Sequence, residues 1–447
     1  MISRGHFQTP ARIADHMVAK LFENRHPKIS DTVLDAGCGQ GDFIEAIISW
    51  CRKHNYPLPR ITGVELDPQL VSIARNKFKK CPEVSIEERD FLMTSDVRYD
   101  FIIGNPPYVS ILQLSENEKQ LYKQSYTTAR GRFDLYLLFF EKSIRILKED
   151  GRLVFITPEK YVYVETAEPL RRMLAEMQVR EIEFLEEDTF RGLTTYPTIT
   201  IVENSHSVGE TEVSNRNGTK KKVTLSKGGD KWLPTLNGKM DTSVGHKLED
   251  ICIRVSCGVA TGADRIFIRR TDELNPALKA FAYPTISGRE LNHQREELSS
   301  LHSILTPYDE NGELIPFDKL GELGKYLSQP YVVKRLKQRT CCKKKLWYAF
   351  HENPPMRDLL RPKILCKDIT AYPDFWYDKD GRFVPRHSVY YIVPRDSART
   401  NEFLEFLKSD FARDWLINNS QKAANNFIRL QSNVLRELPI PEKLYSS

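Results

Sequence analysis

Apolar and polar positions along the first half of the chain repeat with two periods, one typical of strands and one of helices. Runs rich in valine and isoleucine predict strands over Thr32–Asp35, Ile61–Glu65, Val84–Ile86, Tyr99–Ile103 and Arg152–Ile156. Helical spacing predicts helices over Ala11–Leu21, Ile44–Cys51, Val71–Phe78 and Leu135–Leu147. This alternation is typical of an α/β fold, a Rossmann-like doubly wound sheet whose ligand lies at the carboxyl ends of its strands.

The pattern changes towards the end of the predicted sheet. No full helix separates the apolar runs Val179–Leu185 and Thr198–Val202, which predicts an antiparallel edge hairpin. Residues 204–230 are polar and rich in glycine, serine and lysine, as in an exposed excursion or linker. After about residue 240, short strands, prolines and clustered aromatic residues dominate, with one amphipathic helix from Asn401 to Asn418. We therefore predict two domains, residues 1–240 and a mixed α/β domain over residues 241–447.

Composition limits the class of protein without choosing it. The chain of 447 residues is too long for one core, and its net charge of +6 permits a polyanionic partner. No apolar stretch is long enough to span a bilayer and no secretory signal is visible, so we expect a cytoplasmic protein without a membrane partner. The eight cysteines lack paired C-x-x-C spacing, which predicts reduced thiols and no metal site.

The tetrapeptide Asn105-Pro106-Pro107-Tyr108 follows the predicted strand Tyr99–Ile103. It suits chemistry on an aromatic amine, whose lone pair is delocalised into its ring. The Asn105 side-chain oxygen and the Pro106 carbonyl can accept the two N–H bonds of such an amine, and the prolines fix both acceptors in advance. Tyr108 offers a flat face for stacking. A plain proline-rich turn is the alternative, but the place at a strand end favours a site.

A glycine-rich turn, Asp35-Ala36-Gly37-Cys38-Gly39, follows the first predicted strand and lets the backbone approach a ligand closely. An acid before the glycines favours a cationic amino acid over a pyrophosphate, which predicts S-adenosylmethionine as the cofactor. Glu65, followed by Leu66, is placed to accept ribose hydroxyls. Asp90 is placed to accept the adenine amine of the cofactor, while Phe91 packs on its ring. Acids at three successive strand ends favour a site over solvated loops.

The order of these motifs resembles the gamma-class N6-adenine DNA methyltransferases of restriction–modification systems. The resemblance implies a class I S-adenosylmethionine-dependent methyltransferase fold over residues 1–240, with Thr9 and Pro10 against the methionine part of the cofactor and Pro107 beside it. The later stretches Gly258–Ile268, Pro362–Leu365 and Leu438–Pro441 are similar to the TaqI-type specificity domain, which implies a DNA target-recognition domain over residues 241–447. The chain departs from many members in having Asp-Ala-Gly-Cys-Gly instead of Asp-Pro-Ala-Cys-Gly.

Two further groups of residues are expected to contact DNA. The family places an aromatic residue after the late strands against the flipped base, for which Phe190 and Tyr196 are candidates and Tyr196 is favoured. A core aromatic residue is the alternative for either. The segment from Lys334 to Lys345 contains no acid, which next to a DNA-modifying domain favours phosphate contacts. The residues expected to make them are Lys334, Arg335, Lys337 and Arg339.

The sequence thus predicts a methyltransferase acting on N6 of adenine in double-stranded DNA, the modification half of a type II system. A methyltransferase acting on RNA or on a protein glutamine through the same pocket is one alternative. A non-catalytic DNA-binding specificity protein is another. We expect a monomer, and a cognate restriction endonuclease is a possible partner that shares the DNA site without binding the chain.

Overall fold

The computed structural model describes residues 7–186, 189–190, 196–205, 207–216, 218–237, 246–292, 297–423 and 427–445. The chain forms two compact units, Met1–Gly238 and Lys239–Ser447. The predicted boundary between residues 240 and 241 lies outside the described residues.

Unit 1 is built on one nine-stranded sheet with helices on both faces. Its strands are β1 Thr32–Ala36, β2 Arg60–Glu65, β3 Val84–Glu88, β4 Tyr99–Gly104, β5 Leu147–Pro158, β6 Gln178–Phe184, β7 Pro197–Glu203, β8 Thr211–Ser214 and β9 Lys220–Val223. Its helices are α1 Ala11–Leu21, α2 Asp42–His54, α3 Pro68–Phe78, α4 Glu116–Ser125, α5 Leu135–Ile146, α6 Glu168–Ala175 and α7 Leu233–Asn237.

The strand order is β3-β2-β1-β4-β5-β7-β6-β8-β9, with β1 to β5 parallel. The chain runs from β1 towards one edge through β2 and β3, then crosses back to β4 on the other side of β1. This reversal is a topological switch point, where the connections after adjacent strands diverge and leave a crevice. The predicted doubly wound fold is confirmed.

Both faces of the sheet are covered by apolar side chains that alternate along each strand. Val33 of β1 belongs to the apolar cluster shared with α1, α2 and α3, whereas the next residue, Leu34, belongs to the cluster shared with α5 and α6. Burial on both faces explains why the parallel strands read as nearly continuous apolar runs.

The prediction of a linker over residues 204–230 is wrong in part, because this segment contains the two strands β8 and β9. β6 and β7 pair antiparallel as predicted, but they do not form the edge, since β8 pairs parallel with β6 and β9 pairs with β8. Thr211 and Val213 alternate inward and are buried. Lys220 forms an ion pair with Glu212 across the β8–β9 hairpin. The lysines of β9 thus mark an exposed sheet edge, where charge discourages further pairing.

Unit 2 is a mixed α/β assembly of short elements around two further apolar clusters. Its sheets have the orders β11-β19-β15-β17, β12-β14-β13-β18, β16-β21-β20 and β10-β22. The strands are β10 His246–Lys247, β11 Cys252–Cys257, β12 Ile268–Arg270, β13 Ala282–Ile286, β14 His302–Leu305, β15 Lys363–Lys367, β16 Ile369–Thr370, β17 Phe375–Asp378, β18 Val384–Pro385, β19 Val389–Pro394, β20 Gln421–Lys422, β21 Ile428–Arg429 and β22 Pro439–Ile440. The helices are α8 Asp264–Phe267, α9 Pro276–Lys279, α10 Gly321–Leu327, α11 Pro330–Lys337, α12 Met356–Leu359, α13 Thr400–Leu407, α14 Asp410–Asn419, α15 Ser432–Arg436 and α16 Glu442–Tyr445.

The single helix predicted from Asn401 to Asn418 is wrong in its continuity. Ser409 has an extended backbone between α13 and α14, and its side chain accepts the backbone N–H of Ala412. Serine favours such an N-cap over a helix interior. Among the described helices of the whole chain, none is long and apolar enough to cross a membrane.

Because side chains of β8 are buried, truncating one of them should destabilise the protein, which is not expected of a residue in an exposed linker. We expect Val213→Ala to lower the free energy of unfolding by on the order of 2 kcal/mol, because a buried side chain is truncated. Urea unfolding of the full chain measures it, with the exposed Lys222→Ala in β9 as the control. Equal unfolding midpoints for both variants would contradict the packing of β8.

Candidate active site

A cavity of about 690 Å³ opens at the carboxyl ends of the parallel strands. Its wall includes several of the predicted site residues. The other lining residues come from the strand ends and from the connections that follow the strands, including α4 and α5. Its lining residues are Gly37, Val64, Glu65, Leu66, Asp67, Pro68, Gln69, Arg89, Asp90, Phe91, Leu92, Asn105, Pro107, Val109, Leu114, Glu118, Tyr122, Leu135 and Phe139.

The glycine-rich turn between β1 and α2 is held against β2. The backbone N–H groups of Gly37 and Cys38 both donate to the carbonyl of Val64 at 3.0 Å. Gly37 and Gly39 have positive φ angles of 79° and 54°, which glycine adopts without strain. Ala36 and Cys38 are buried beneath the turn. The turn therefore presents backbone, not side chains, to the cavity.

Asp35 is completely buried at the end of β1, and neither carboxylate oxygen has a hydrogen-bond partner among the described residues. Burial, together with the nearby carboxylates of Asp42 and Glu65, raises its pKa well above the ordinary range. A buried carboxylate without partners is costly unless a cation or donor meets it. This orphaned acid beside the glycine turn fits a cofactor with a cationic amino-acid part.

Glu65, at the end of β2, joins two loops through one carboxylate. It accepts the backbone N–H of Gly39 at 2.9 Å and those of Leu66 and Asp67 at 2.8 Å each. The carboxylate is therefore fixed at the cavity wall, and of its roughly four acceptor positions about one remains for a hydroxyl donor. Leu66 is 65% exposed and lines the same cavity.

Asp90 and Phe91 form the adjoining wall after β3. Asp90 accepts the backbone N–H of Leu92 at 2.9 Å through one oxygen and the hydroxyl of Tyr122 at 3.1 Å through the other. Burial raises the pKa of Asp90, against the effect of these two donors. The ring of Phe91 packs against Phe139 of α5 with centroids 4.9 Å apart. An acceptor beside two aromatic rings suits a flat heterocycle with an amine.

Asn105 follows β4, and its side-chain nitrogen donates to the carbonyl of Phe7 at 2.9 Å and to the hydroxyl of Thr9 at 3.2 Å. These bonds leave the side-chain oxygen as the acceptor of the amide. Pro106 is buried, and Pro107 lines the cavity. Thr9 and Pro10 thus belong to the segment that holds Asn105.

Tyr108 lies among other aromatic rings. Its centroid is 5.7 Å from that of Phe7 and 6.2 Å from that of Phe190, the latter perpendicular to it. The hydroxyl of Tyr108 is buried without a hydrogen-bond partner in the described part of the chain, and burial raises its pKa. A tyrosine flanked by two further aromatic rings suits a flat aromatic substrate.

Phe190 and Tyr196 have different surroundings, although the sequence offered both for the same role. Phe190 packs on Tyr108, whereas the Tyr196 ring is covered by the guanidinium of Arg216, 4.8 Å from its centroid. Arg216 is held there by an ion pair with Glu159. The geometry therefore favours Phe190 over Tyr196, the residue that the sequence favoured.

The basic residues of unit 2 also separate into two groups. Lys334, Arg335 and Lys337 are exposed on α11. Arg339 instead donates to the carbonyls of Thr261, Trp347 and Ala349 at 2.6–2.8 Å. Its guanidinium therefore ties loops of unit 2 together, an arrangement that sequence alone did not indicate.

The largest group missed from the sequence is the apolar and aromatic wall supplied by helices. Leu114 and Tyr122 come from the β4–α5 connection, and Leu135 and Phe139 come from α5. The available signal in the sequence was the apolar character of α5 on nearly every face. Such a helix must pack between the sheet and other elements, and α5 is accordingly buried.

Comparison with known proteins agrees with this geometry. The Eco57I restriction-modification methylase model matches residues 71–190, and the TaqI-like C-terminal specificity domain model matches residues 284–440. The type II methyltransferase M.BstVI of Geobacillus stearothermophilus is 24% identical over 483 residues, covering 92% of this chain and 85% of that protein. The type II methyltransferase M.PaeR7I of Pseudomonas aeruginosa is 26% identical over 393 residues, covering 80% and 67%.

Among solved structures, that of the type IIL restriction-modification enzyme MmeI in complex with DNA aligns over 96% of this chain and 64% of its own. The TM-score is 0.62 at 12% identity, which shows a shared fold. Fold and site together define a class I S-adenosylmethionine-dependent methyltransferase. Within that class, the chain is a DNA methyltransferase of restriction–modification type that carries a TaqI-like specificity domain.

The Asp35 carboxylate has no hydrogen-bond partner in the described part of the chain. We therefore expect it to destabilise the ligand-free protein. Because its pKa is raised on folding, its contribution to stability is greatest at low pH and is lost as pH rises through the folded-state pKa. We expect Asp35→Asn to stabilise the ligand-free protein at neutral pH by on the order of 1 kcal/mol. The gain should shrink as the pH is lowered.

Urea unfolding at several pH values measures this effect, with the exposed Asp15→Asn on α1 as the control. A destabilised Asp35→Asn protein at neutral pH would show that the carboxylate is satisfied in the free protein.

Proposed function

We propose that this protein transfers a methyl group from S-adenosylmethionine to N6 of adenine in double-stranded DNA. We further propose that it is the modification half of a type II restriction–modification system. The observation that carries the proposal is the orientation of Asn105, whose nitrogen is occupied by Phe7 and Thr9 so that its oxygen is the available acceptor. An acceptor is what an amine requires, and Pro106 supplies a second one beside it.

Residues at the ends of the first three strands are proposed to hold the cofactor. Asp35 and the turn Ala36–Gly39 face its amino-acid part, Glu65 its ribose, and Asp90 with Phe91 its adenine. Leu66, Pro107 and Pro10 are proposed to complete these contacts, and the family resemblance places Thr9 beside them. The burial of Asp35 and the cavity wall formed by Glu65 and Asp90 support this assignment. When bound, the cofactor supplies an electrophilic methyl group on a sulfonium.

The protein's own contribution to the reaction is positioning. Asn105 and Pro106 accept the two N6–H bonds of the target adenine, which turns the nitrogen lone pair towards the cofactor side of the cavity. Tyr108 and Phe190 contact the flipped base by stacking or by ring edge, and Pro107 keeps the acceptors stiff. A base must leave the duplex to reach such a pocket, at a cost of about a few kcal/mol.

Unit 2 is proposed to be the target-recognition domain, and unit 1 the catalytic domain. The exposed Lys334, Arg335 and Lys337 on α11 are proposed to contact phosphates, which position DNA without reading its sequence. Arg339 is proposed to act structurally instead. A monomeric state, a cytoplasmic location and a cognate endonuclease that shares the site remain predictions.

The first test is nucleoside analysis of unmethylated DNA after incubation with protein and S-adenosylmethionine. We expect N6-methyladenine from the parent protein. Asn105→Ala should lower the yield by at least about a thousandfold, because the amine loses an acceptor made in the transition state, and cofactor affinity should stay nearly unchanged. N4-methylcytosine, or methylation of RNA or protein alone, would contradict the proposed acceptor. Undiminished transfer by Asn105→Ala would contradict the site.

The two groups of basic residues give a second test. We expect Lys337→Ala to reduce the slope of log affinity against log salt by about 0.9, the value for one lost phosphate contact. Arg339→Ala should instead lower the melting temperature, because carbonyls of three residues lose their donor. Duplex binding at several salt concentrations and thermal unfolding measure these effects, with the exposed Lys79→Ala of unit 1 as the control. An unchanged slope for Lys337→Ala would remove α11 from the DNA contacts.

A further inference from the structure

The segment of residues 7–10, which we call the N-terminal segment, reaches the end of β4 from the start of the chain. It supplies two acceptors to the side-chain nitrogen of Asn105, the carbonyl of Phe7 at 2.9 Å and the hydroxyl of Thr9 at 3.2 Å. The Phe7 ring also lies 5.7 Å from the ring of Tyr108. The N-terminal segment therefore contacts both ends of the tetrapeptide Asn105–Tyr108.

This segment is anchored by the helix that follows it. α1 begins directly after Pro10 and buries Met17, Val18 and Leu21 against the sheet. Thr9 itself is only 6% exposed. The Phe7 carbonyl and the Thr9 hydroxyl therefore lie in a segment that is held in place by the packing of α1 and the burial of Thr9.

The orientation of a carboxamide is decided by such partners. A half-turn about the last side-chain torsion of Asn105 exchanges its oxygen and nitrogen with little change in shape. In the exchanged orientation, N–H groups would face the N–H groups of the target amine. The Phe7 carbonyl can only accept, so it selects the productive orientation. The Thr9 hydroxyl is a second acceptor for the same nitrogen. It restricts the last side-chain torsion of Asn105, and therefore the direction in which the Asn105 oxygen points.

We propose that Thr9 is a positioning residue for methyl transfer, acting through the Asn105 amide. The inference rests on the proposed function and gives Thr9 a role that differs from the cofactor contact expected of it. A cofactor contact would appear as weaker cofactor binding. Positioning of Asn105 appears as a slower transfer step at saturating cofactor and DNA.

The test compares Thr9→Val, which keeps the branched shape but removes the acceptor, with Thr9→Ser, which keeps the hydroxyl. We expect the single-turnover rate of Thr9→Val to fall about tenfold, the effect of one lost neutral hydrogen bond in the transition state. Thr9→Ser should restore the rate to within about twofold of the parent, and cofactor affinity should change less than about twofold in both variants.

Thr157→Val is the matched control, because Thr157 is likewise a buried threonine, but its hydroxyl has no hydrogen-bond partner among the described residues. It should leave the rate unchanged. An unchanged rate for Thr9→Val would overturn the proposal. So would an equal loss in Thr9→Ser, or a loss confined to cofactor affinity.

A spectroscopic measurement separates this inference from the proposed function. The side-chain N–H resonances of Asn105, assigned by their loss in Asn105→Ala, should shift in Thr9→Val and not in Thr157→Val. This shift is expected even if nucleoside analysis finds no N6-methyladenine, in which case the proposed function fails and the contact stands. Resonances that do not move in Thr9→Val would show that Thr9 does not hold the amide.

Discussion

Parallel pairing of β1 with β2 on one side and β4 on the other is the constraint on which the site of unit 1 depends. Parallel strands end at the same edge of a sheet, so residues far apart in sequence become neighbours there. Asp35, Glu65 and Asn105 each follow or end one of these strands. The crossover between β3 and β4 opens the crevice that the cavity occupies. Position in the sheet, more than any single residue, brings the chemistry together.

Acidic residues are grouped at that edge, although the chain as a whole is basic. The protein carries a net charge of +6, yet Glu65 and Asp90 line the cavity and Asp35 is buried near the end of β1. The pKa values of Asp35 and Asp90 are raised because both are withdrawn from water. Such acids ionise most readily when a cation lies beside them, which matches a cationic cofactor, while exposed lysines and arginines elsewhere match a polyanion. The two ligands of such an enzyme are thus distinguished by charge before any detailed contact forms.

Sequence patterns predicted the parallel strands because burial on both faces of the sheet demands long apolar runs. The acids of the site were predicted because each stands at the end of one of these runs. The patterns failed where apolar periodicity carries no signal, either because the element is short or because the determining contact is polar. β8 is too short for its alternation to stand out from its polar surroundings. Ser409 interrupts a helix through a local cap that apolar periodicity does not register. Tyr122 reaches the cavity from α4, and Arg339 bonds to the carbonyl of Thr261, which is 78 residues away; no spacing in the sequence encodes either contact.

The contact between Asn105 and the Phe7 carbonyl has a consequence for how this site can vary among proteins. A requirement met by a main-chain oxygen places no demand on the identity of the residue that carries it. Position 7 can therefore change its side chain while the amide of Asn105 keeps its direction, provided the path of the backbone is preserved. What evolution must retain here is a length and a turn, the distance from the start of α1 back to the end of β4. An insertion or deletion between Phe7 and Ala11 would damage the site more than most replacements of Phe7.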